Sequence, residues 1–145
     1  MMPETLQIEV EVGAVVIRHN TVLLIKHNTP PKKGQWCIPV GPLKPDQTMQ
    51  QSMEQYIATL CGIDVVGGRP LYNHEQILKN QNGEVIQHRL TLYIEGKYQT
   101  GEPVSAGIDA EEVAWVSVEA MEFMDIDEEA LLLLEALGFL ELEEE

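Results

Sequence analysis

The stretch of sequence that decides the fold runs from Gly41 to Ile63 and reads GPLKPDQTMQQSMEQYIATLCGI. Its apolar residues at helical spacing are Met49, Met53, Ile57 and Leu60. Thr48 is a residue type that caps the start of a helix, and Gly62 stands where a C-cap glycine belongs. The stretch therefore predicts a loop followed by one amphipathic helix. Its only charged residue from Thr48 onward is Glu54.

An uncharged helix is unusual here because the chain as a whole is strongly acidic. The 145 residues include 24 Asp and Glu against 9 Lys and Arg, which gives a formal net charge of −15 at pH 7. Every Lys and Arg lies between Arg18 and Lys97, and the sequence ends in ELEEE. A surface of this charge repels phosphate backbones, so we expect no nucleic-acid partner.

The length predicts a single domain over residues 1–145, with residues 139–145 as an acidic, solvated tail. No apolar run approaches the roughly 18 residues that span a membrane. The N-terminal MMPETLQIEV has neither the basic region nor the apolar core of a secretory signal. Two cysteines, Cys37 and Cys61, make neither a disulfide framework nor a zinc site. We therefore expect a cytoplasmic protein without a membrane partner.

The rest of the chain predicts strands on both sides of this helix and a second helix near the end. LQIEVEVGAVVIR and TVLLIKH are predicted as two strands joined by a tight turn at Asn20. IDVVGGRPLYNHEQIL and EVIQHRLTLYIEGKY form a second predicted pair around KNQNG, and EEVAWVSV is a further short strand. EAMEFM begins a short helix or turn, and DEEALLLLEALG is a helix between Asp127 and Gly138. This order indicates an α+β or mixed α/β/α domain.

The loop and helix from Gly41 resemble the Nudix box of the MutT-like hydrolases, G-x5-E-x7-R-E-U-x-E-E-x-G-U, in which U is aliphatic. Gly41 and Gly62 match its glycines, and Ile57 and Ile63 match its aliphatic positions. GQWCIPVG resembles the family's entry to the box, with Val40 in place of a glycine. EEVAWVSVEAM resembles the late family strand that leads into a helix. The resemblance covers nearly the whole chain and implies a Nudix-type α/β/α sandwich with a mixed central sheet.

The charged positions of the box all differ in this chain. The loop glutamate is Gln47, the arginine is Gln55, and the three helix glutamates are Tyr56, Thr59 and Leu60. In the family, such glutamates hold divalent metals, which neutralise a pyrophosphate and activate water for its hydrolysis. The degenerate box therefore predicts that metal-dependent hydrolysis is lost and that the chain needs no metal or other cofactor.

Two sets of residues are candidates for a remaining site. Acids that could replace the lost catalytic or metal-binding groups are Glu54, Glu75, Glu84, Glu111 and Glu112, although ordinary solvated residues are the alternative interpretation. Glu111 and Glu112 are the best of these because they directly precede the late strand. The resemblance implies a ligand cleft lined by Trp36, Pro39, Tyr56 and Trp115, together with the helix face that carries Thr59 and Leu60.

Three functions remain open on the sequence, so whether the chain is an enzyme is also open. The first is a Nudix-fold protein that binds a small nucleotide-like ligand or a partner without hydrolysing it. The second is a hydrolase of nucleoside diphosphate-linked compounds with relocated metal ligands and Mg²⁺ as cofactor. The third is a structural or interaction protein whose acidic half docks to a basic partner. Homodimers are common in the resembling family, and the run at 131–134 covers more than one helix face, so a homodimer is also expected.

Overall fold

The fold consists of strands and helices, and the predicted helices and most of the predicted strands occur in the predicted order. The structure is a computed structural model and describes residues 6–104 and 110–140, apart from the side chain of Glu111. The described elements are β1 (Glu9–Val15), β2 (Ile17–Arg18), β3 (Thr21–His27), β4 (Trp36–Cys37), β5 (Val40–Pro42), α1 (Met49–Cys61), β6 (Asp64–Lys79), β7 (Val85–Thr100), β8 (Ala110–Ser117), α2 (Val118–Met121) and α3 (Glu128–Ala136).

The described strands form two four-stranded sheets. In the first, with the order β5-β1-β7-β6, β1 and β7 are parallel and the other pairs are antiparallel. In the second, β3 pairs antiparallel with β2, β4 and β8. The mixed sheet confirms the predicted fold class. The single strand predicted for LQIEVEVGAVVIR is wrong, because the chain leaves the first sheet after Val15 and enters the second at Ile17.

The two long helices cover opposite faces of the strands, which gives three layers. Successive strand residues point to opposite faces. Leu23 and Ile25 accordingly pack in a core cluster with α1, whereas Val22 and Leu24 pack in a second cluster with α3. The apolar run in β3 is therefore explained by burial on both sides.

Local signals fix both ends of α1. The Oγ1 of Thr48 accepts from the backbone N–H of Gln51 at 3.0 Å, and the Gln51 side chain accepts from the Thr48 N–H at 2.9 Å. This reciprocal capping box satisfies two backbone donors that the first turn leaves free. Gly62 ends the helix in the left-handed region at φ 78°. Asn20, at φ 63°, likewise forms the predicted reversal between β2 and β3.

The C-terminal end of the described chain is more buried than the sequence suggested. Phe139, which the predicted tail included, is 3% exposed and packs in the second core cluster. Phe139 thus belongs to the packed core, and residues 141–145 of the predicted tail lie outside the described residues. Among the described helices, none has the length and apolarity needed to cross a membrane.

Candidate functional site

A network of neutral side chains joins the loop before α1 to the helix, and it includes two residues that the sequence analysis aligned with charged positions of the Nudix box. The Gln47 Nε2 donates to the Gln55 Oε1 at 3.0 Å. The Ser52 hydroxyl donates to the Gln47 Oε1 at 2.9 Å and accepts from the Lys44 N–H at 3.1 Å. Gln47 and Gln55, which the sequence analysis aligned with the loop glutamate and the arginine of the box, therefore contact each other as neutral amides and link the loop to the helix.

The three positions of the helix glutamates have three different environments. The Tyr56 ring lies against Gly41, where an added Cβ would stand 2.5 Å from the tyrosine Cδ1. Thr59 is exposed, and Leu60 is 3% exposed within the α1 core cluster. The prediction that Leu60 lines a cleft is wrong, because helical spacing places it on the same buried stripe as Met53 and Ile57.

These box residues do not fit a magnesium ion. Mg²⁺ takes hard oxygen ligands, usually carboxylates, in octahedral geometry. The Gln47 and Gln55 side-chain oxygens already accept hydrogen bonds, and Leu60 has no donor atom. In residues 6–104 and 110–140 there is no group of three or more His, Cys, Asp or Glu side chains placed to hold a metal ion.

Four of the five candidate acids have a described contact, and each contacts a different residue. Glu54 accepts from the backbone N–H of Gly67 at 2.6 Å, which ties α1 to β6. The other contacts join Glu75 to His88 at 2.6 Å, Glu84 to Asn80 at 2.8 Å and Glu112 to Lys26 at 3.9 Å. The side chain of Glu111 lies outside the described part of the chain. Glu54 is thus a structural contact between a helix and a strand.

The aromatic residues expected to line one cleft are distributed over both faces of the sheets. Trp36 packs against the α3 cluster, whereas Tyr56 and Trp115 pack against the α1 cluster. Pro39 is fully buried. Only a groove that reaches both faces could therefore contact Trp36 and Trp115 together.

A groove of about 690 Å³ lies beside the N-terminus of α3, and the sequence analysis did not anticipate it. We call it the α3 groove and define it by Glu11, Lys32, His74, Arg89, Tyr93 and Glu129, which all line it. The Lys32 Nζ lies 3.2 Å from Asp127 Oδ2 and 3.9 Å from Glu129 Oε1. The His74 Nε2 lies 3.9 Å from the same Glu129 oxygen. One glutamate thus joins a loop, a strand and a helix at this groove.

The floor of the α3 groove comes from two parallel strands. Glu11 in β1 stands opposite Thr91 in β7, and the Thr91 hydroxyl donates to Glu11 Oε1 at 3.3 Å. The Tyr93 hydroxyl donates to Glu129 Oε2 at 2.5 Å. Burial and this hydrogen bond raise the pKa of Tyr93 far above its ordinary value, so it stays a neutral donor. The buried Arg89 Nε has no hydrogen-bond partner among the described residues, but it forms ion pairs with Glu9 Oε1 at 3.6 Å and Glu11 Oε1 at 3.7 Å.

Comparison with solved structures decides the fold. The MutT Nudix hydrolase from Burkholderia pseudomallei has a TM-score of 0.71 at 23% identity, over 89% of this chain and 97% of that chain. The MutT protein from Methanosarcina mazei Go1 has a TM-score of 0.70 at 18% identity, over 94% and 96%. This chain has the Nudix fold. The Nudix resemblance of the sequence is therefore confirmed at the level of the fold.

A third Nudix neighbour was solved with a ligand. It is the Nudix domain of NrtR from Shewanella oneidensis in complex with ADP ribose, with a TM-score of 0.68 and 15% identity over 93% of this chain and 88% of that chain. No protein-family model and no curated protein sequence matches this chain. The likeness thus lies in the Nudix fold itself.

Proposed function

We propose that this Nudix-fold protein binds a small nucleotide-like ligand and does not hydrolyse it by the metal-dependent route of the Nudix box. The main observation behind the proposal is that the side chains aligned with the charged positions of the box are uncharged. Gln47 and Gln55 bond to each other at 3.0 Å, and Leu60 is buried. Cleavage of a pyrophosphate needs its charge neutralised and a water activated, which these residues do not supply.

The α3 groove is the proposed ligand site because its size and chemistry fit a small polar molecule. Its volume of about 690 Å³ falls within the roughly 300–1,000 Å³ of small-molecule sites. Glu11 and Glu129 offer carboxylate oxygens that can accept from ribose hydroxyls or base amino groups. Arg89 and Lys32 carry positive charge that can contact a phosphate, which would compete with the carboxylates that now pair with each of them. The Shewanella domain supports the proposal, since it shares the fold and was solved with ADP ribose.

The assembly of the protein is a second part of the proposal, and its support is one exposed leucine on α3. Leu132 is 60% exposed, although Leu133 and Leu134 on the same helix are buried. We propose that Leu132 contacts a second copy of the chain. A cytoplasmic location remains part of the proposal as well, supported by the two free, buried thiols of Cys37 and Cys61.

Calorimetry with ADP-ribose in a chelating buffer tests the ligand proposal. We expect binding without Mg²⁺, and an Arg89→Gln variant should weaken it by about tenfold because a hydrogen bond to a charged group is lost. The matched control is Lys79→Gln, which makes the same change in net charge at an exposed position outside the groove.

Two results would contradict the proposal. Turnover of ADP-ribose that requires Mg²⁺ would support a hydrolase with relocated metal ligands. Failure of ADP-ribose and related nucleotides to bind, with or without Mg²⁺, would exclude a nucleotide-like ligand. It would favour the hypothesis of a structural or interaction protein.

A further inference from the structure

A second pocket of about 660 Å³ lies at the other end of α3, and it shares no lining residue with the α3 groove. It is bounded by the β2–β3 turn, by parts of β6 and β7, and by Leu137 just beyond α3. We call it the basic pocket and define it by Arg18, Arg69 and Lys97, the three cations that line it.

The charge of the basic pocket is opposite to that of the protein. It holds three of the nine Lys and Arg residues, whereas Glu95 is the one Asp or Glu among its described lining residues. None of Arg18, Arg69 and Lys97 forms an ion pair with a residue in the described ranges. Three cations around one cavity repel each other, and an anion bound between them removes that repulsion.

Aromatic rings hold one of these cations in place. The Arg18 guanidinium carbon lies 4.1 Å from the Tyr98 ring centroid and 5.7 Å from that of Trp115. The two rings meet edge to face at 5.6 Å, and the Tyr98 hydroxyl donates to the Gly101 carbonyl at 2.8 Å. Arg18 is positioned by the faces of aromatic rings and not by a carboxylate. Its N–H donors therefore remain available for an anion.

The remaining wall of the basic pocket is apolar. Val15, Ile17, Leu71 and Leu137 line it. Ile17 is 45% exposed, so part of this surface contacts solvent when the pocket holds no ligand. An anion with an apolar portion would cover that surface in addition to contacting the cations.

We propose that the basic pocket binds an organic phosphate, with the phosphate among Arg18, Arg69 and Lys97 and the apolar part along Ile17 and Leu71. Arginine forms forked hydrogen bonds with phosphate oxygens, and lysine adds a point charge. This site is separate from the α3 groove and does not depend on the function proposed for it.

Titration of the protein with phenyl phosphate and with inorganic phosphate, in chelating buffer at low salt, tests the proposal. Phenyl phosphate should bind more tightly than inorganic phosphate because its ring covers the apolar wall. The double variant Arg69→Gln/Lys97→Gln should lower the affinity for phenyl phosphate at least tenfold. The matched double variant Lys44→Gln/Lys79→Gln should change this affinity less than about twofold, because both lysines lie outside the pocket.

The indole N–H signals of the two tryptophans locate the bound phosphate. The Trp115 signal should move on titration, since its ring lies beside Arg18, and the Trp36 signal should stay in place. A Trp36→Phe variant assigns the two signals. Arg89→Gln in the α3 groove should leave phenyl phosphate binding unchanged, which separates this site from the nucleotide proposal.

Three outcomes would overturn the proposal. Equal losses in the two double variants would show attraction by overall charge alone. Equal affinity for phenyl phosphate and inorganic phosphate would exclude the apolar wall from the site. Absence of binding by the unaltered protein at millimolar phenyl phosphate would exclude an organic-phosphate site in the basic pocket.

Discussion

The contact between Gly41 and Tyr56 predicts that a single methyl group on the box glycine destabilises the protein. A Cβ at residue 41 would lie 2.5, 2.6 and 2.7 Å from the Cδ1, Cγ and Cε1 atoms of Tyr56. Carbon atoms pack at about 3.5–4.0 Å, so the overlap is about 1 Å against three ring atoms. The ring cannot swing away cheaply because the Cγ next to its own Cβ is among them.

The expected cost of Gly41→Ala is about 1–3 kcal/mol of unfolding free energy, the usual range for overpacking. For a domain of this size, that lowers the midpoint of thermal unfolding by about 3–10 °C. Urea unfolding of Gly41→Ala, Tyr56→Ala and the double variant forms a double-mutant cycle that isolates the contact. In the Tyr56→Ala background, the added methyl should cost less than about 0.5 kcal/mol.

An equal cost of Gly41→Ala with and without Tyr56 would refute this reasoning. The ring would then not lie on the loop, and the side chain at a glutamate position of the Nudix box would not be a packing residue. A coupling energy of the expected size would show that Tyr56 stabilises the loop, at a position where the family's pattern has a carboxylate.

Three further perturbations have defined outcomes. Glu54→Gln should cost about 1 kcal/mol in urea unfolding, because it weakens the 2.6 Å bond to the Gly67 N–H; loss of ADP-ribose binding would contradict this structural role. Leu60→Glu, which restores a box residue, should cost more than about 3 kcal/mol through a buried carboxyl group, and the control Thr59→Glu less than about 0.5 kcal/mol. Burial raises the pKa of Cys61 from 9.0 to about 12. The free energy of unfolding should therefore fall as pH rises from 9 toward 12, by up to about 1.4 kcal/mol per pH unit. Cys61→Ala should make this slope shallower, and an unchanged slope would show that the Cys61 thiol does not cause it.

The parts of the fold that the sequence predicted well depend on local signals. Thr48 and Gly62 mark the ends of α1 through side-chain capping and a left-handed backbone, both of which are short-range effects. Asn20 marks its turn for the same reason. The break between Val15 and Ile17 was missed because a change of sheet partner depends on distant strands and leaves the apolar pattern intact.

The candidate site was less predictable because distant segments build it. Glu11 and Thr91 meet through the parallel pairing of β1 and β7, and Glu129 reaches Tyr93 from a helix near the end of the chain. Leu60 could be interpreted in two ways, as a replaced ligand or as part of an apolar stripe. Leu60 lies on the buried apolar stripe, because burying a leucine side chain stabilises the fold and exposing it at a polar cleft does not.

The most direct test of the proposed loss of hydrolase activity is a phosphorus NMR time course of ADP-ribose with the protein and Mg²⁺. The two diphosphate signals should persist, with no monophosphate signals above those of a sample without protein. Steady appearance of two monophosphate signals, stopped by chelation of Mg²⁺, would show that the protein hydrolyses the pyrophosphate despite its neutral Nudix box.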